Sequence, residues 1–156
     1  MAGYSVVIKL GAKGVAMTFK LDERLEQDSV FLGNFPVSAL LMSRDANYPW
    51  FILVPRRENI TELFELSDED AVAVLKESRH LSRCLMQVFE GEKLNVAALG
   101  NMVPQLHIHH IVRYRRDGAW PNPVWGAQPA AEFLEGEATL RAEELTSVLG
   151  EGFEPA

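Results

Sequence analysis

The residues best suited to chemistry lie in one short run, Gln105-Leu106-His107-Ile108-His109-His110-Ile111-Val112-Arg113, which holds three of the chain's four histidines. Side chains on a strand alternate between faces. Extended from Gln105 to Tyr114, the run therefore sets Gln105, His107 and His109 on one face and Leu106, Ile108 and His110 on the other. Two chemistries use histidines at i and i+2 of a strand. Zinc binding needs one or two further ligands, and here the single Cys84 falls in a predicted helix with no second histidine pair. No metal and no cofactor are expected, although a metal-dependent hydrolase stays as an outlying alternative. The other chemistry is attack by a neutral imidazole nitrogen on phosphorus, giving a covalent intermediate that water resolves. It needs donors for the phosphoryl oxygens and a proton source for the leaving group. His107 flanked by Gln105 and His109 supplies such a row. His80, midway along an amphipathic helix, reads as structural, and His110 reads as core packing or a subunit contact.

The rest of the chain must position that row. At 156 residues it reads as one domain, able to bury roughly 70% of its unfolded surface. The net charge of −7 argues against general nucleic-acid binding, which relies on surplus Lys and Arg, but leaves room for a local nucleotide pocket. No apolar run approaches the ~20 residues of a membrane span. Together with a lone cysteine, this predicts a cytoplasmic protein with no membrane partner.

Residues 1–18 read as an N-terminal extension and Phe19 to Gln27 as a short helix or turn. Val37 to Ser43 and Trp50 to Val54 are apolar and β-competent, and Asp45-Ala46-Asn47-Tyr48-Pro49 between them is turn chemistry, so they predict an antiparallel hairpin. Ser67 has the place of an N-cap, and Asp68, Glu69 and Asp70 put negative charge on the first turn. Ala71, Val74, Leu75, Ser78, Leu81, Leu85, Val88 and Phe89 then form one helical stripe, with Gly91 as terminator. Leu94 to Leu99 reads as a strand, and Pro129 to Leu149 as a helix. This order predicts an α+β domain whose antiparallel sheet is covered on one side.

In that setting the segment resembles the histidine triad (HIT) family of nucleotide hydrolases and transferases, whose signature is His-x-His-x-His with apolar x. The matching positions are Gln105, His107 and His109, which points to a branch with glutamine first. The upstream stretches from Leu40 to Ser43 and from Tyr48 to Pro55 are similar to the family's paired strands. The resemblance covers roughly 19–125, a HIT-like domain, and leaves 126–156 as a helical tail. It implies an antiparallel sheet of about five strands covered by one long helix.

The resemblance also implies roles. His107 would attack the α-phosphate of a purine nucleotide or dinucleotide substrate, a dinucleoside polyphosphate or a nucleoside phosphoramidate, forming a nucleotidyl-histidine. His109 would hydrogen-bond the phosphate or the leaving group. Asn101 falls where the family directs a polar side chain at phosphate, and Ser43, with Arg44 beside it, where a side chain meets ribose. Trp120-Pro121 matches a segment that follows the triad in one branch, and the family's assembly implies a homodimer. Gln105 departs from the signature because an amide carries no titrating proton. The competing expectation is therefore a purine-nucleotide-binding module with little catalysis.

Overall fold

The computed structural model describes residues 19–156; the N-terminal extension expected over 1–18 lies outside the described residues. The elements run α1 (Glu23–Asp28), β1 (Ser29–Asn34), β2 (Ser38–Ser43), β3 (Trp50–Pro55), α2 (Asp68–Val88), β4 (Lys93–Ala97), β5 (Ile108–Arg113), α3 (Glu137–Leu149) and β6 (Glu154–Pro155). The strands make one sheet of order β4-β5-β3-β2-β1-β6, with every pairing antiparallel. The α+β reading holds, with six strands in place of about five.

The hairpin of β2 and β3 lies at the centre of the sheet, where both faces are covered, and so its sequence is continuously apolar rather than alternating. Leu40, Met42, Phe51 and Leu53 join the core that includes Leu81 and Leu85 of α2 and Leu145 and Leu149 of α3. Ala39, Leu41, Ile52 and Val54 face the other way, into a second cluster with Leu25 and Val103. Leu81 and Leu85 are fully buried, and truncating either to alanine should cost about 2–5 kcal/mol.

Helix α2 follows its sequence cues at the start. The Ser67 side chain accepts from the Asp70 amide, and the acidic residues Asp68, Glu69 and Asp70 occupy the first turn. The buried stripe is Val74, Glu77, Ser78, Leu81, Cys84 and Leu85, while Leu75 points outward. Chain reversal beyond the helix falls on Glu90, in the left-handed region at φ 47°, rather than on Gly91. Gly91 is needed instead for close approach, since a Cβ there would collide with Val112 of β5.

Two strands, β1 and β6, carry no readable strand pattern. In β1 the pairing with β2 shifts register between Phe31 and Gly33, which destroys the period-2 pattern by which a strand is read. β6 pairs only Pro155 and Glu154 with Gly33 and Asn34. The tail helix starts at Glu137 rather than Pro129 because the preceding stretch is held by the β2–β3 turn. Asn47 donates to the Pro129 carbonyl (2.9 Å) and Asp45 accepts from the Ala131 amide (3.1 Å). Among the described residues no helix is long and apolar enough to cross a membrane.

Candidate active site

Strand β5 begins at Ile108, not at Gln105. The Leu106 amide donates to Ile60 in a loop (2.9 Å) instead of to a neighbouring strand, so the residues before Ile108 leave the ladder. Within β5, Ile108 and Val112 join the core beneath the helices, whereas Ile111 joins a cluster on the opposite face with Tyr48 and Trp125. His109 shares that second face by alternation. His107 stands just before the strand, with its ring centroid 4.8 Å from that of His109, edge to face.

The protons of both rings follow from their partners. His107 Nδ1 lies 2.7 Å from the backbone carbonyl of Gln105. A carbonyl only accepts, so Nδ1 carries a proton, and in the neutral ring Nε2 keeps its lone pair. The Trp50 indole Nε1 donates to His109 Nδ1 at 2.9 Å. An indole only donates, so His109 Nδ1 is the bare nitrogen and Nε2 carries the hydrogen. The row therefore presents one nucleophilic nitrogen beside one N–H donor. Burial, with smaller contributions from the charges of His107 and His110, pushes the His109 pKa down to about 3.

Gln105 aids His107 through its backbone, and its side chain is engaged elsewhere. The amide oxygen accepts from the Asp22 amide (2.8 Å) and the amide nitrogen donates to the Lys20 carbonyl (2.9 Å). Arg24 also donates to the Met102 carbonyl. The segment leading into α1 is thus clasped to the loop that carries the triad, and a cleft lined by residues 20–24 and Gln105 opens beside it. Asn101 is exposed in that loop. Ser43 and Arg44 lie where β2 turns toward β3: Ser43 Oγ accepts from the Asp45 amide (3.1 Å) and Arg44 Nε donates to the Gln27 carbonyl (3.0 Å). Trp120 is partly exposed, its ring 5.8 Å from the Arg113 guanidinium carbon.

That guanidinium is 1% exposed. It donates to both oxygens of Asp117 (2.7 and 2.9 Å), to Asn95 and to the Asn122 carbonyl. Arg113 holds the Asp117 carboxyl below its ordinary range. The same carboxylate accepts from the Ala119 and Trp120 amides, so a fully paired buried ion pair fastens the loop after β5.

Two aromatic residues that no local sequence pattern ties to the histidines, Trp50 and Trp125, pack around His109. Trp125 packs on His109 (5.3 Å between ring centroids) and on Trp50 (5.6 Å), while Trp50 lies 5.5 Å from His109. From the sequence, Trp50 reads only as a strand residue. The signal for Trp50 is positional. Ile52 pairs with His109 and Trp50 with Ile111, which makes Trp50 the diagonal same-face neighbour of His109. His110 is fully buried between the Ser78 hydroxyl (2.7 Å) and the Ile108 carbonyl (3.1 Å), and His80 contacts the Leu149 carbonyl (2.7 Å). Both match the structural reading. Among the described residues no three His, Cys, Asp or Glu side chains converge as a metal site would require.

Comparison with known proteins bears on this geometry. The sequence profile of the HIT domain matches residues 24–116. A histidine triad protein from Marinobacter aquaeolei is 48% identical, with a TM-score of 0.81, over 84% of this chain and 96% of its own. A histidine triad protein from Bradyrhizobium japonicum is 39% identical, with a TM-score of 0.83, over 85% of this chain and 98% of its own. One from Sinorhizobium meliloti is also 39% identical, with a TM-score of 0.81, over 83% and 96%. No curated protein matches the sequence.

Proposed function

The chain belongs to the histidine triad family, and from that premise we propose that it is a nucleotidyl hydrolase or transferase whose nucleophile is His107. The substrate is a purine nucleotide joined through its α-phosphate to a leaving group, by a phosphoanhydride or a phosphoramidate bond. The Nε2 lone pair attacks phosphorus, the bond to the leaving group breaks, and a nucleotidyl-His107 forms that water then hydrolyses. One observation carries this reading: the bond from His107 Nδ1 to the Gln105 carbonyl, which directs the lone pair to Nε2. Because that orienting group is backbone, glutamine at the first position does not remove it. This favours catalysis over the alternative of a binding module with little turnover. The His109 N–H serves as donor to a phosphoryl oxygen, and Asn101, Ser43, Arg44 and Trp120 are assigned to substrate contacts. Titration calorimetry with AMP beside a turnover assay on diadenosine tetraphosphate separates the two readings. The enzyme gives heat and product; a binding module gives heat alone.

The assembly we propose is a homodimer. Met86 and Phe89 near the end of α2 pack against their own core, Phe89 on Phe51. Among the exposed apolar residues are Val72 and Leu75 on α2 and Val96, Leu99 and Met102 on and after β4, which is an edge strand. Such a combination fits a two-fold contact. Light scattering should give twice the 17.5 kDa chain mass; a monomer at micromolar concentration would contradict it. The unpaired Cys84 suits a reducing compartment, and we place the protein in the cytoplasm.

A further inference from the structure

We propose that Trp50 fixes His109 as a permanently neutral Nε2–H donor, and that this selects leaving groups able to depart without a proton: phosphoanhydrides over phosphoramidates of basic amines. The inference rests on the nucleophilic role of His107 proposed above and narrows its substrate class.

To act as a general acid near neutral pH, an imidazole must first carry protons on both nitrogens. A second proton on His109 would sit on Nδ1 and face the Trp50 indole N–H across 2.9 Å. Two donors would then meet with no acceptor between them, and the indole cannot reverse its role. Nor is the ring free to swing away. Trp50, Trp125 and His109 close on one another, each pair of ring centroids 5.3–5.6 Å apart. Burial opposes the charged form as well, with the His107 and His110 charges adding to it.

A proton relay into His109 from Trp50, Gln105 or His110 is closed. Nδ1 ends at the indole. Gln105 cannot titrate, and its amide is committed to the Lys20 and Asp22 backbone. His110 has both nitrogens engaged by Ser78 and Ile108. What remains is a fixed N–H suited to a phosphoryl oxygen.

The chemistry then balances without an acid from the row. The His107 Nε2 pair forms the N–P bond, and the P–O bond breaks with its electrons on the bridging oxygen. The leaving phosphate departs as an anion. Water next forms a P–O bond, the N–P electrons return to Nε2, and a proton passes to solvent. Departing phosphate oxygen is weakly basic and needs no proton, whereas an alkylamine leaves only after gaining one. General acid catalysis contributes about 10²–10⁴-fold, so amine substrates should lag by about 10²-fold or more.

The test compares kcat/KM for diadenosine tetraphosphate and for adenosine 5′-phosphoramidate bearing an alkylamine, in the parent and in Trp50→Phe. Nitrogen NMR on the parent reads the His109 tautomer in parallel. The expected result is about a 10²-fold preference for the anhydride, reduced about tenfold in Trp50→Phe. His109 should keep a bare Nδ1 from about pH 5 to about pH 8. Cleavage of the phosphoramidate within about tenfold of the anhydride by the parent, or protonation of both His109 nitrogens near pH 6, would overturn the inference while leaving His107 as nucleophile. Turnover of neither substrate, with no adduct on His107, would overturn the underlying reading and this inference with it.

Discussion

His109 and His110 are consecutive residues of one strand, both buried and both with suppressed basicity, their pKa values pushed down to about 3 and about 4 by desolvation. One is placed at the proposed site and the other in the core. Lowered basicity therefore does not separate the histidine of the proposed site from the one in the core. The distinction lies in which nitrogen is left open. His110 has a contact on each nitrogen, Ser78 on Nε2 and Ile108 on Nδ1. His109 is held at Nδ1 by an aromatic donor, which leaves Nε2–H to be offered to a ligand. His107 is held at Nδ1 by a carbonyl, which leaves a lone pair. A buried histidine engaged on one side has chemistry left to do, and its fixed partner decides whether it donates or attacks.

This contrast can be broken or sharpened by substitution. The largest effect is expected for His107→Ala, with kcat/KM for diadenosine tetraphosphate falling at least about 10³-fold and thermal stability nearly unchanged. His109→Ala should lower kcat/KM by about 10²-fold, the size expected for one lost donor to a phosphoryl oxygen. Loss of stability without loss of rate would place His109 with His110 and erase the distinction.

His110→Leu should do the opposite. It leaves the Ser78 hydroxyl buried without its partner and should cost about 1–3 kcal/mol in urea unfolding, with kcat/KM within about threefold of the parent.

The two histidines also give stability a pH dependence whose sign is fixed. Their folded values lie below the ordinary 6.5, so between the two the unfolded chain binds more protons and stability rises with pH. It is fully present above about pH 6.5 and should fall by about 2 kcal/mol per histidine on acidification to about pH 5. His110→Leu should roughly halve that slope; an unchanged slope would mean His110 is not neutral in the fold.

The smallest effect is expected for Gln105→Ala. It removes the side-chain clasp on Lys20 and Asp22 but keeps the carbonyl that orients His107, so about 1 kcal/mol of stability and only a few-fold in kcat are at stake. A loss as large as that of His107→Ala would return the glutamine side chain to the chemistry.

Much of this arrangement was legible where local cues agree with the tertiary outcome. Ser67 and the acidic first turn announce α2, and the apolar runs of β2 and β3 announce a central hairpin because both their faces are covered. The spacing of His107 and His109 predicts neighbouring rings, and their centroids lie 4.8 Å apart. The extension of the strand back to Gln105 failed because alternation alone cannot show that the Leu106 amide pairs with Ile60. β1 is hidden by its register shift between Phe31 and Gly33, and β6 is too short to carry a pattern. The start of α3 depended on Asp45 and Asn47, more than eighty positions earlier. Trp50 was invisible for a similar reason: its place beside His109 follows from the β3–β5 register, which only the assembled sheet supplies.

The most direct test of the nucleophile is mass spectrometry of the protein quenched during turnover of diadenosine tetraphosphate, with peptides kept at alkaline pH to preserve an N–P bond. The account predicts a mass increase of one adenylyl group on the peptide containing His107, absent in His107→Ala. Turnover with no adduct, or an adduct on His109 instead, would contradict it.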